Sequence, residues 1–286
     1  ILYLYIYKEE KMLKKEEYKN YIENENNIRK IPTNFNKLDN IYGGGLSKGL
    51  TILGANTGLG KTTFVLQLAD NVAHQPNTKV LFFSLELTKY ELVSKSLSRL
   101  SYLDDNLTNH TPNDFISNSV DDLDTYYSHY EPIGNNVYIV DNVRNIMKIS
   151  KTIYDFCNEF ENDKVVVIID YIQFINCNGN NDKQNVDIIT RELKALANNY
   201  NIPIVAISSL SREGAKRNDI SSFKESGSIE YTADYLIIMY QKENNRGLAF
   251  TDDTDTITLE FLKNRFGVKG QFDLKYLGNY ATFKEL

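Results

Sequence analysis

Ala55-Asn56-Thr57-Gly58-Leu59-Gly60-Lys61-Thr62, with Thr63 directly behind it, decides the reading of this 286-residue chain. An apolar run, Leu50–Gly54, leads into the string, and Phe64, Leu68 and Val72 follow at helical spacing. A small residue, four variable ones and Gly-Lys-Thr between a strand and a helix make a phosphate loop. Small residues let backbone N–H groups turn inward around a β-phosphate, and the helix N-terminus adds partial positive charge. Lys61 is expected to reach the β- and γ-phosphates of ATP, and the Thr62 hydroxyl to ligate Mg²⁺. The nucleotide-binding set is therefore Ala55 through Thr63.

Outward from the loop, short apolar runs alternate with helical stretches. The runs are Leu50–Leu53, Val80–Phe83, Val137–Val140, Val165–Ile169, Ile202–Ile207 and Tyr235–Tyr240. Between the last three, Ile189, Leu193, Leu196 and Tyr200 share a helical face. Near-continuous Val/Ile runs between helices are what strands buried on both faces of a parallel sheet look like. An α/β fold follows, with a mostly parallel central sheet flanked by helices. Thr256 to Phe283 reads as β-rich, with turns at Phe266–Gly267 and Gly278–Asn279, completing the same sheet. With no internal repeat and no Pro/Gly linker, residues 28–286 read as one domain. Residues 1–27 read as an extension or linker arm carrying a charged run from Lys8 to Glu17. That arm is either a solvated lead-in or a segment that docks on a neighbouring subunit.

Composition excludes several classes. Hydrophobic residues make up 42% and charged residues 24%, which is globular rather than disordered. The longest apolar stretch, Ile1–Tyr7, is far below the ~20 residues of a membrane span and lacks the flanks of a signal peptide. A soluble, cytoplasmic protein is expected. Cys157 and Cys177 are the two cysteines, too few for a disulfide framework or a four-Cys zinc site. With 32 Lys plus Arg against 38 Asp plus Glu, the net charge is −6, so bulk charge does not coat nucleic acid, although a local basic loop can still bind it. The chain begins at Ile1 rather than Met and reads as a piece of a longer or processed protein.

Two carboxylates complete the expected chemistry. Asp170 ends the run Val165–Ile169, at the carboxyl end of a buried strand, where parallel-sheet proteins place ligand chemistry. It is expected to hold the Mg²⁺ hydration shell together with Thr62. Glu86, closing Leu81-Phe82-Phe83-Ser84-Leu85-Glu86, is expected to orient water as a general base. Its rival reading is a carboxylate in the first turn of a helix, favoured by the macrodipole.

In combination these motifs resemble the DnaB-type hexameric replicative helicases, within the RecA-like phosphate-loop ATPases. Ile31-Pro32-Thr33-Asn34-Phe35-Asn36-Lys37-Leu38-Asp39 and Gly43-Gly44-Gly45-Leu46 resemble the opening of their motor domain. Ser84-Leu85-Glu86-Leu87 is similar to the segment with their catalytic glutamate, and Asp170-Tyr171-Ile172-Gln173 to their Walker B stretch. Phe223-Lys224-Glu225-Ser226-Gly227-Ser228-Ile229-Glu230, then Ala233-Asp234, is the most family-specific match. The resemblance spans about Ile28 to Phe283, without the N-terminal domain such helicases usually carry.

The resemblance implies a RecA-like fold and an ATP-driven, ring-forming motor, a homo-hexamer moving 5′–3′ on single-stranded DNA. It implies that Lys224, Glu225 and Gly227 hold the DNA backbone. It implies that Lys263 and Arg265, in Lys263-Asn264-Arg265-Phe266-Gly267, reach the γ-phosphate bound by a neighbouring subunit. A primase or a helicase loader is the implied partner. The plain alternative for Lys263 and Arg265 is two solvated basic residues on one strand face. One departure stands out: Ser208-Ser209 occupies the place of the family's Ser-Gln, whose Gln senses the γ-phosphate, although Arg212 keeps a basic residue just beyond. A Ser hydroxyl at that place reaches the phosphate only through a water. A RecA-like repair or recombination ATPase and a nucleotide-switched assembly module are the rival functions. The polar loop Asn176–Gln184 reads as mobile, and as a second channel loop that contacts DNA through its backbone.

Overall fold

The computed structural model describes residues 15–19, 30–179, 181–210, 219–223, 226–241 and 254–286. The chain divides into two compact units, residues 1–30 and Ile31–Leu286. In the first, residues 15–19 are helical and exposed.

Among the described residues, the second unit is built on a nine-stranded sheet in the order β3-β2-β4-β5-β1-β6-β7-β8-β9. The first six in that order, β3 (Val137–Val140), β2 (Thr78–Ser84), β4 (Lys164–Asp170), β5 (Pro203–Ser209), β1 (Gly49–Ala55) and β6 (Tyr235–Gln241), run parallel. The last three, β7 (Thr254–Asn264), β8 (Gln271–Leu277) and β9 (Thr282–Glu285), pair antiparallel. All six expected runs are strands, and the Thr256–Phe283 zone finishes the same sheet. Ile202 alone falls outside, one residue ahead of β5.

Every residue of β1 is buried, as are Val165 through Asp170 of β4, because helices cover both faces. Alternation splits each strand between two cores. Leu53 and Ala55 pack with Phe64, Leu68 and Val72 of the helix Lys61–Ala73 on one face. Leu50 and Ile52 pack with Ile189, Leu193 and Leu196 of the helix Asp182–Asn199 on the other. Tyr200 is the residue just beyond that helix and is only half-buried.

Helix starts carry their own signals. Thr88 and Glu91 form a capping box ahead of Lys89–Leu103, and Asn145 accepts from the Met147 and Lys148 N–H groups. Asn181 caps Asp182–Asn199, so Asp182 to Gln184 belong to that helix rather than to the expected loop. Just ahead of it, the Asn185 Oδ1 accepts from the Gly179 N–H at 2.9 Å and from the Cys177 thiol at 3.1 Å, while Asn180 lies outside the described residues.

Candidate active site

Strand order and register bring the candidate residues to one edge. β1 lies between β5 and β6, while β2, next in sequence, sits beyond β4 and β5. Such a reversal opens a crevice at the carboxyl ends of the strands. There Ala55 pairs with Ser209, and Ser84 pairs with Asp170. A cleft of about 310 Å³ is lined by Thr57, Gly58, Gly60, Lys61, Thr62, Thr63, Glu86, Leu87, Lys95, Tyr171, Ser209 and Tyr276.

Gly58 (φ 89°) and Gly60 (φ 78°) take left-handed backbone that other residues rarely adopt, and Gly60 caps the helix Lys61–Ala73 without any side-chain cap. The first-turn N–H groups are thereby left for a ligand. The Lys61 ammonium donates to the Ala55 and Asn56 carbonyls, both at 2.9 Å, which holds it over the loop. Burial lowers its pKa, opposed by the negative charges of Asp170 and Glu86.

Asp170 is 1% exposed, and among the described residues its Oδ2 has no hydrogen-bond partner. Burial pushes its pKa up to about 6, with Glu86 adding, against the Thr62 hydrogen bond and the Lys61 charge. An orphaned carboxylate oxygen beside a threonine hydroxyl is an oxygen donor set that fits a hard divalent cation also held by phosphates. Among the described residues no group of three or more His, Cys, Asp and Glu is placed to hold a metal by itself.

Glu86 stands on a pinned turn beyond β2. The Leu85 N–H donates to the Asp170 carbonyl at 2.7 Å, Ser84 Oγ to the Leu87 carbonyl at 2.5 Å, and Arg144 to the Leu85 carbonyl at 2.9 Å. The next helix starts at Lys89, so the first-turn reading of Glu86 fails; its side chain is exposed on the cleft.

Lys263 and Arg265 are not in this cleft. They lie where β7 meets the start of β6, Lys263 opposite Leu236, at the amino edge of the parallel strands. At about 3.3 Å per residue, the seven residues of β1 separate the two edges by roughly 20 Å. Neither residue is simply solvated. Lys263 Nζ donates to the Glu230 and Ala233 carbonyls at 2.6 and 2.7 Å, and Arg265 pairs with Asp234 at 3.2 Å. Lys224, Glu225 and Arg212 lie outside the described residues. Gly227 is exposed in the short helix Ser226–Thr232, with open space where a Cβ would stand.

Sequence reading missed three contributors. Tyr276, stacked on Phe283 at 4.4 Å, comes from the far end of the chain, and a Cβ on Gly60 would meet these rings at 2.9 and 3.0 Å. Lys95 reaches the cleft from the helix Lys89–Leu103, its pKa lowered by burial and then by Arg99. The Gln173 amide spans the Ser208-Ser209 departure, donating to Ser208 Oγ at 2.9 Å and accepting the Ser209 N–H at 3.2 Å. No periodicity marks Tyr276 or Lys95; Gln173 stood inside a quoted motif without a role.

Residues 30–285 match the family model of the DnaB-like helicase C-terminal domain. The chain is 31% identical over 269 residues to the replicative DNA helicase DnaB of Geobacillus stearothermophilus, covering 91% of this chain and 57% of that protein. It is 30% identical over 268 residues to the replicative DNA helicase DnaC of Bacillus subtilis, with the same coverage. The chain thus spans little more than half the length of these relatives. Among solved structures, one ATPase domain superposes with a TM-score of 0.78 at 23% identity, over 94% of this chain and 95% of that one. A DnaB-like replicative helicase, described with its interactions with primase, gives 0.76 at 23% identity over 91% and 64%. At that identity the likeness is one of fold.

Proposed function

The chain belongs to the family of DnaB-like helicase C-terminal domains, and on that premise we propose that it is the ATP-hydrolysing motor of a ring-forming replicative DNA helicase. One observation carries the reading. Lys61, Thr62, Asp170 and Glu86 share a cleft, while Lys263 and Arg265 stand at the opposite edge of the sheet. A single subunit therefore offers two halves of different sites, which is what a nucleotide bound between subunits requires.

In this reading the Gly58–Gly60 turn and the free N–H groups of the Lys61 helix bind the phosphates of ATP. Lys61 leaves the Ala55 and Asn56 carbonyls for the β- and γ-phosphate oxygens. Thr62 and Asp170 would hold Mg²⁺, which when bound neutralises phosphate charge. Glu86 takes a proton from the water that attacks the γ-phosphorus, and ADP leaves. Arg265, with Lys263, stabilises the γ-phosphate of a neighbouring subunit; such a finger is worth about 10³–10⁵ in rate.

Single-stranded DNA is the proposed track, held by Lys224, Glu225 and Gly227, with a homo-hexamer and 5′–3′ movement as the proposed assembly and polarity. Residues 28–286 form the proposed motor and 1–27 an arm; a primase or a loader is the proposed partner, and the cytoplasm the proposed compartment. Among the described residues no helix is long and apolar enough to cross a membrane. Forked DNA with a single 5′ or 3′ tail tests the proposal. ATP-dependent strand displacement of the 5′-tailed fork is expected, and ATP turnover without displacement of either fork would reject the motor.

A further inference from the structure

Asp234 is wholly buried, yet it serves three partners from three elements. Its Oδ2 accepts the Leu50 N–H at 2.9 Å and the Lys194 ammonium at 2.5 Å. Its Oδ1 accepts Arg265 Nη1 at 3.2 Å, and its carbonyl accepts the Arg265 N–H at 3.0 Å. Gly49, at φ 130°, leaves the space this carboxylate fills, since a Cβ there would lie 2.6 Å from Oδ2. A buried carboxylate needs pairing to stay charged, and Lys194 with the Leu50 N–H supplies that on one oxygen. The other oxygen is turned to Arg265, whose side chain is 55% exposed. Lys263 holds the same turn through the Glu230 and Ala233 carbonyls.

We propose that Asp234 is the positioning residue for Arg265, anchoring a half-exposed guanidinium at the amino edge of the sheet for use on the neighbouring subunit's nucleotide. This rests on the shared-site reading above. A long, rotamer-rich side chain that must meet a transition state gains rate from being held beforehand, because less freedom is lost at the moment of reaction. Asp234 does not touch the nucleotide; it acts through Arg265.

Asp234→Asn isolates the claim. The amide oxygen can stay on the Leu50 N–H and Lys194, which leaves the NH₂ group facing Arg265 with nothing to accept its proton. Turnover per subunit is expected to fall about tenfold with KM for ATP within about twofold, the pattern of an interaction made only in the transition state. In an Arg265→Ala background the same change should cost nothing further. The decisive step mixes Asp234→Asn subunits with Lys61→Ala subunits, which lack a working phosphate loop but carry an anchored Arg265. Activity per intact phosphate loop should rise on mixing, because the defect lies in what a subunit gives its neighbour.

A parallel mix of Arg265→Ala with Lys61→Ala separates the two layers of argument, with mixed assemblies verified by sizing. If that pair complements and the Asp234→Asn pair does not, Asp234 is structural and the inference falls while the shared site stands. If neither pair complements and wild-type turnover per subunit is unchanged where sizing shows dissociation to monomer, the shared site falls and the inference with it. Should Asp234→Asn fail to fold through the strain on Lys194, Asp234→Asn with Lys194→Met removes the unmatched cation and takes its place in every arm. A cost that adds fully to Arg265→Ala overturns the inference in either version.

Discussion

Asp170→Asn should make the nucleotide-free, metal-free protein more stable while ending its catalysis. Asp170 is buried with one oxygen unpartnered among the described residues, and its pKa is pushed up to about 6 from 3.8. The unfolded chain therefore loses this proton first as pH rises. Stability is full below about pH 3.8 and falls until about pH 6, where the loss is complete. The size is about 1.36 × (6 − 3.8), or roughly 3 kcal/mol at neutral pH. Asparagine removes that charge and can still accept the Thr62 hydroxyl. It places an unpartnered NH₂ where Oδ2 stood, which takes back about 1 kcal/mol. A net gain of about 2 kcal/mol raises the melting temperature by roughly 4–8 °C in a unit of this size. Calorimetry in chelator at pH 7.5 and at pH 4 measures it: the gain should appear at the higher pH and shrink at the lower. Mg²⁺ with ATP should then stabilise the wild type more than the variant, because the cation gives the carboxylate its missing partner. A variant that melts no higher than wild type at pH 7.5, or a gain equal at both pH values, would refute the account of Asp170 as an unpaired site group.

Three further outcomes are expected. Lys61→Ala should abolish hydrolysis with a melting temperature close to wild type, since its Nζ donates to two carbonyls of the loop rather than packing in the core; unchanged turnover would sink its catalytic assignment. Glu86→Gln should keep nucleotide binding, measured by titration, and lose at least about 10²-fold in turnover, the scale of a lost general base. Surviving turnover per bound nucleotide would reduce Glu86 to a surface carboxylate. Lys224→Ala should weaken single-strand binding evenly across sequences and flatten its dependence on salt, because phosphate contacts carry no base information; a sequence-selective loss would contradict a channel role.

The phosphate loop, the six parallel strands and the carboxylates Asp170 and Glu86 were legible from sequence because each is a local fact. A small-residue turn, an apolar run long enough to be buried on both faces, and a charge at its end are all set within a short stretch of consecutive residues. Tertiary structure decided what these pieces face. That Ser84 pairs with Asp170, bringing Glu86 into the same cleft, follows from β2 lying beside β4, and strand order leaves no periodic trace. Tyr276 and Phe283 close on Gly60 from the other end of the chain, and tyrosines and phenylalanines that build cores look the same in sequence. Lys263 and Arg265 read as two charges on one strand face, but whether they meet water, a carboxylate or a neighbour depended on the turn Glu230–Asp234 folding against them. Local backbone preference chooses the element; only the packing of residues distant in sequence chooses the partner, because burial and pairing energies arise between elements rather than within them.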